Sequence, residues 1–95
     1  MDELIKDLNK SERISFPVTF ELKVIMDATI PDEVNQLNIQ ALLEELYIPH
    51  VSLRRRLSQK GRYMSFTYRV TISSYPSLKA LYEKLRELPG IKFAV

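Results

Sequence analysis

The sequence of 95 residues has no cysteine, no tryptophan, a single histidine and only two glycines. Without cysteine the chain can form neither a disulfide nor a cysteine-based zinc site. A lone histidine cannot complete a metal site by itself. No apolar run approaches the roughly 20 residues of a membrane-spanning helix, so we expect no membrane segment.

The length and the charge of the chain bear on its number of domains, its location in the cell and its type of partner. A chain of 95 residues suffices for one domain, which buries roughly 60 to 65% of its unfolded surface. The sequence opens with Met1, Asp2 and Glu3, where a secretory leader would carry positive charge. We therefore expect a cytoplasmic protein. The formal net charge of +2 is too small to make nucleic acid the leading partner.

Four segments show the two-residue alternation that is typical of a strand with one buried face. Their apolar positions are Phe20, Leu22, Val24 and Met26; then Val51, Leu53 and Leu57; then Met64, Phe66, Tyr68, Val70 and Ile72; and finally Ile91, Phe93 and Val95. Arg55 falls on the apolar side of the second segment. This position predicts an edge strand, because only there can the guanidinium reach water.

Two further segments show the helical period. The first follows Pro31 and runs to about Leu46, with two apolar stripes that leave room for a break near Asn38. The second follows Pro76 and is closed by Pro89 and Gly90.

The element order is therefore strand, helix, strand, strand, helix, strand. It predicts an α+β fold of the ferredoxin-like β-α-β-β-α-β type, in which a four-stranded antiparallel sheet carries both helices on one face. We expect residues 16–95 to form this single domain, with the second and last strands at the sheet edges. Residues 1–15 are expected to form an N-terminal arm with a short helix.

The helices leave the other face of the sheet uncovered. By the alternation this face carries more cations than acids, the acids being Glu21 and Asp27. Many antiparallel sheets have a solvated charged face that binds nothing. The sharper interpretation is a surface for a protein partner, a small anionic ligand or a second copy of the chain in a homodimer. Its candidate binding residues are Lys23, Arg54, Arg56, Tyr63, Arg69 and Lys92.

Specific chemistries find little support in the residues. The stretch Asp27 to Asp32 contains no glycine for a phosphate-binding loop. An RNA-binding sheet needs outward aromatic pairs, whereas Phe66 and Tyr68 point inward and leave Tyr63 alone outside. We therefore predict no catalytic residues, no metal and no cofactor. Binding of nucleic acid or another polyanion by the same basic face is the alternative function.

Three segments resemble the YbeD-like family of small bacterial proteins. They begin at Phe16 and Pro17, at Ser58 in the central hairpin and at Leu81 in the last helix, so the likeness spans residues 16–95. The resemblance implies a ferredoxin-like fold similar to ACT-type regulatory domains, which sense small molecules and pair through their sheets or helices. A fold-level analogy does not assign a function.

Overall fold

The computed structural model describes residues 15–95. The predicted N-terminal arm therefore lies outside the described residues, except Ser15, and the division at residue 16 stays a prediction. The elements are β1 (Val18–Asp27), α1 (Asp32–Glu45), β2 (His50–Leu57), β3 (Tyr63–Ile72), α2 (Tyr75–Leu85) and β4 (Ile91–Ala94). The sheet has the order β2-β3-β1-β4 and all neighbouring strands are antiparallel. This arrangement confirms the predicted ferredoxin-like fold and the edge positions of β2 and β4.

The core lies between the sheet and the two helices. In the inner strands the alternation holds from end to end, so that every second residue packs against the helices. Burial of each such side chain stabilises the fold by roughly 1.5 to 3 kcal/mol. The strands contribute Leu22, Val24, Met26, Phe66, Tyr68, Val70 and Ile72, and the helices contribute Ile39, Leu42, Leu43, Leu78, Leu81, Tyr82 and Leu85.

Each helix has identifiable ends. Pro31 precedes α1, and the helix continues through Asn38 without a break. It ends at Glu45 with Leu46 as its C-cap, and Tyr47 follows with a left-handed φ of 55°, while the Ile48 amide donates to the Leu43 carbonyl at 2.9 Å. At the start of α2 the Ser74 hydroxyl accepts a hydrogen bond from the Ser77 amide at 3.3 Å. Within residues 15–95 neither helix has the length and hydropathy needed to cross a membrane.

An irregularity in β2 changes the predicted phase of that strand. The pairing shifts between Ser52 and Arg54, so that Val51 lies opposite Arg69 and is 58% exposed on the uncovered face. The prediction that Val51 faces the helices is wrong for this reason. Leu53 is the extra residue and is only partly buried. Arg55 lies on the helix side at the sheet edge with its side chain half exposed, as predicted, and its guanidinium stands 3.7 Å from the Asp32 carboxylate.

A second irregularity lies in β4. Ala94 pairs with Val24 and is buried, whereas Phe93 pairs with Ile25 and is 48% exposed. Residues directly opposite each other in an antiparallel pair share a face. Phe93 therefore lies on the uncovered face, and its predicted place in the core is wrong. Val95 exchanges backbone hydrogen bonds with Lys23 at 2.8 and 2.9 Å and is exposed as well.

Candidate functional site on the open sheet face

The side of the sheet away from the helices is called the open face below. The β1–β3 register places Lys23 beside Thr67 and Asp27 beside Tyr63 on this face. The structure brings the six predicted site residues together there, although their binding role stays a prediction. They are Lys23 from β1, Arg54 and Arg56 from β2, Tyr63 and Arg69 from β3, and Lys92 from β4.

One part of the open face is occupied by ion pairs, and we name it the paired end: Glu21, Arg54 and Arg69. The Arg54 guanidinium lies 2.9 Å from one Glu21 carboxylate oxygen, and that of Arg69 lies 4.0 Å from the other. Exposed pairs of this kind contribute at most about 1 kcal/mol each. Between Arg54 and β1 lies Thr67, which is only 3% exposed although it faces away from the helices. Glu21 therefore pairs with two of the five predicted cations, although its single negative charge balances only one of them.

A second part of the open face is apolar, and we name it the apolar corner: Ile25, Tyr63 and Phe93. Ile25 and Phe93 form a direct cross-strand pair. Tyr63 lies on β3, on the other side of β1, two residues before Ser65, which is the partner of Ile25. Tyr63 and Phe93 keep 39% and 48% of their surface exposed. The corner forms one wall of a shallow depression of about 770 Å³, which Lys23, Arg56 and Ser65 also line.

The cations beside the apolar corner differ from those of the paired end. Within residues 15–95, neither Lys23 nor Arg56 forms an ion pair. The ammonium of Lys92 lies 5.9 Å from the centre of the Tyr63 ring, at a distance typical of a cation–π contact. The corner thus combines exposed rings with Lys23 and Arg56, whose charges no acid of the described chain neutralises.

Asp27 closes the open face at the far end of β1. Its Oδ1 accepts hydrogen bonds from the Thr29 amide and the Thr29 hydroxyl, both at 2.8 Å. The hydrogen bond from the Thr29 amide, and next the one from the Thr29 hydroxyl, hold the pKa of Asp27 below its ordinary value. Desolvation opposes this lowering, and the charge of Lys92 adds to it to a lesser degree. Asp27 is therefore charged at neutral pH and marks the boundary of the positive region.

Sequence reasoning missed part of this site. The alternation also places Ile25 on the uncovered face, and an apolar side chain at an outward position is a usable signal for a binding residue. The same alternation places Phe93 in the core, because nothing in the short segment Ile91 to Val95 marks the extra residue.

His50 lies away from the open face. Its Nδ1 is 2.8 Å from the Ile48 carbonyl oxygen, and its ring meets Tyr68 edge-on with 6.1 Å between centroids. These contacts account for a half-buried side chain that holds the entrance of β2.

Comparisons with known proteins agree with the fold and the resemblance. Residues 11–95 match a family described as "Protein of unknown function (DUF493)". A UPF0250 protein of Shewanella piezotolerans is 38% identical over 88 residues, covering 90% of this chain and 94% of the relative. The UPF0250 protein of Shewanella halifaxensis is 33% identical with the same coverage.

Among solved structures, the solution structure of protein HP0495 from H. pylori is similar with a TM-score of 0.71. The likeness covers 90% of this chain and 89% of that one, and at 19% identity it bears on the fold alone. Because the family match and the relatives extend over nearly the whole sequence, the chain belongs to the DUF493 family, the YbeD-like proteins named UPF0250.

Proposed function

We propose that this protein is a non-enzymatic interaction module of the cytoplasm that binds a negatively charged protein partner through its open face. One observation carries the proposal: Lys23 and Arg56 stand without an ion pair beside an exposed apolar corner in the described chain. On an ordinary solvated face the cations lie next to acids and form ion pairs with them, as Arg54 and Arg69 do at the paired end. Aromatic and arginine side chains are the residue types that supply most binding energy at protein interfaces.

Each displaced pKa among residues 15–95, at Asp27, Tyr68 and Tyr82, has a structural cause. Active sites collect groups whose pKa is displaced to suit proton transfer. Burial raises the pKa of Tyr68 and of Tyr82, but both rings lie in the core beneath the helices. Asp27, whose pKa is lowered, is engaged by Thr29.

The test is an amide NMR titration of the full chain with poly-glutamate at low and at high salt. We expect shifts concentrated at Lys23, Arg56 and Phe93 that shrink as salt is added, because exposed charges are screened within about 10 Å at 0.1 M. Lys23→Gln should reduce these shifts. Lys79→Gln, which removes the same charge from an exposed position of α2, should leave them unchanged. Shifts confined to the helices, or none, would contradict the proposal.

A second candidate is binding of single-stranded nucleic acid. The observation that favours it is the β4 irregularity, which places Phe93 on the same open face as Tyr63 with Ile25 of β1 between them, so that Tyr63 is no longer the lone outward ring. Two exposed rings with adjacent cations resemble a base-stacking platform. A mixed-sequence oligonucleotide titrated over a salt series tests this candidate, since phosphate contacts make affinity fall steeply with salt.

Self-association would also cover the corner. Sedimentation velocity over a range of protein concentrations distinguishes this outcome: a monomer at all concentrations leaves the open face free for another partner, whereas a dimer broken by Phe93→Ala would replace the proposal.

A further inference from the structure

We infer that the open face binds an extended acidic peptide segment that places one aromatic side chain on the apolar corner and a carboxylate near each of Lys23 and Arg56. This inference rests on the proposed interaction function and specifies the partner's chemistry. Three features carry it: the spacing of the corner residues, the position of the two cations, and the acids that bound the positive region.

The apolar corner has the size of one ring. Ile25 and Phe93 lie on adjacent strands, and Tyr63 lies one strand further on the other side of Ile25. Adjacent strands are about 4.8 Å apart, so the three side chains surround an area roughly 10 Å across. The exposed surfaces of Tyr63 and Phe93 are available to an incoming ring. Aromatic pairs are favoured at ring separations of about 4.5 to 7 Å, which this area permits.

The two cations flank the same spot. Arg56 lies beside Ser65, and Lys23 lies on β1 beside Thr67, so the cations are two strands apart with β3 between them. Ser65 and Thr67 are also two residues apart along β3, so the two cations are roughly 12 Å apart at the backbone. In an extended peptide successive side chains alternate sides, so the residues two positions before and after an anchor share its side and are about 13 Å apart, since each residue advances about 3.3 Å. Long, flexible lysine and arginine side chains cover the remaining distance to two carboxylates.

The positive region is too short for a nucleic-acid backbone. At one end of the positive region Glu21 forms ion pairs with Arg54 and Arg69. At the other end lies Asp27, which is charged and interacts with the charge of Lys92. A polyphosphate that crossed the face would pass one of these carboxylates. Two cations with no acid partner among the described residues match a segment with two or three negative charges.

The experiment uses four peptides of equal length and the full chain, with affinity measured by fluorescence anisotropy and the site mapped by amide NMR. The first peptide has glutamates around a central phenylalanine. In the others alanine replaces the phenylalanine, glutamine replaces the glutamates, or lysine replaces the glutamates. We expect the first to bind best, with about tenfold weaker binding for the alanine peptide and for the glutamine peptide, and no binding of the lysine peptide. A tenfold change corresponds to about 1.4 kcal/mol.

Two protein variants assign each part of the peptide to its contact. Phe93→Ala should lower the affinity for the phenylalanine peptide about tenfold and leave the affinity for the alanine peptide unchanged. Arg56→Gln should weaken the glutamate peptides and leave the glutamine peptide unchanged. Lys79→Gln is the matched control for a lost charge elsewhere and should change none of them. Urea unfolding of each variant confirms that it is folded at the assay temperature.

The outcomes separate the inference from the proposed function. If glutamate peptides bind the open face equally well with alanine or phenylalanine, the anchor is wrong while the interaction function stands. If the glutamine peptide binds as well as the glutamate peptide, the charge contacts are wrong. If no peptide shifts the open face but a mixed-sequence oligonucleotide does, both the acidic segment and the protein-binding function are overturned.

Discussion

Phe66 and Phe93 show how differently the two faces of one sheet are used. Phe66 lies on β3 facing the helices and is 2% exposed, whereas Phe93 lies on β4 facing away from them and is 48% exposed. The helix side consists of close-packed apolar side chains, and the open face carries ion pairs, two exposed rings and cations that form no ion pair within residues 15–95. Stability is therefore concentrated on one face and the binding capacity that we propose on the other, so substitutions can separate the two.

The largest expected effect comes from truncating the same ring on each face. Phe66→Ala should lower the free energy of unfolding by about 3 to 5 kcal/mol, because it leaves a cavity in the core. Phe93→Ala should lower it by less than about 1 kcal/mol, because the ring is half exposed. Urea denaturation measures both. Equal losses would mean that the two faces do not differ in packing as described.

The turn before β4 provides the next contrast. Gly90 has a φ of 79°, and a Cβ there would collide with the Ile30 side chain. Gly61, in the central hairpin, has a φ of 73° but no neighbour within 4 Å. We expect Gly61→Ala to cost about 1 kcal/mol from backbone strain and Gly90→Ala about 1 to 2 kcal/mol, since the terminal methyl of the half-buried Ile30 must also move aside. Thermal unfolding checks the order, and a larger loss at Gly61 would contradict it.

A smaller effect on stability and an opposite effect on binding are expected at the paired end. Glu21→Gln removes the acid that holds Arg54 and Arg69, and exposed pairs of this kind are worth at most about 1 kcal/mol. The same substitution releases two cations and should strengthen binding of an acidic peptide. Glu83→Gln, at an exposed position of α2, controls for the change in net charge. Stronger binding in both variants would show that net charge, rather than the released arginines, is responsible.

The smallest effect should be a pH dependence from Asp27. Its pKa is lowered in the folded state from the ordinary value of 3.8, chiefly by the Thr29 hydrogen bonds. Such a group stabilises the fold above the unfolded pKa, and this contribution is lost as pH falls through the folded pKa. We therefore expect Asp27→Asn to flatten the decline in unfolding free energy below about pH 4 while other acids still titrate. An unchanged acid limb would exclude the Thr29 interaction as its source.

Sequence reasoning succeeded for the inner strands for a physical reason. β3 has a partner on both sides, and β1 has one on both sides from Lys23 to Asp27, so an extra residue there would break two ladders; strict alternation is maintained from Leu22 to Met26 and from Phe66 to Ile72. Edge strands lose one ladder only. Both irregularities occur in them, and they reverse the predicted sides of Val51 and Phe93.

The electrostatic character of the site could be predicted only in part. The alternation of Arg54 and Arg56 correctly assigns both to the open face. It cannot show that Arg54 reaches Glu21 while Arg56 reaches no acid in the described chain. That difference depends on the register between β1, β2 and β3, which decides which side chains lie near each other. The contrast between the paired end and the apolar corner therefore emerges from tertiary structure.

The irregularity in β4 also bears on how this surface could change over time. Lys92 is the extra residue there, so loss of its codon would restore simple alternation and remove one cation from the open face, while Phe93 and Ala94 kept their sides and the inner strands kept every residue. Insertions and deletions at the rim can thus exchange what the domain displays without redesigning what holds it together.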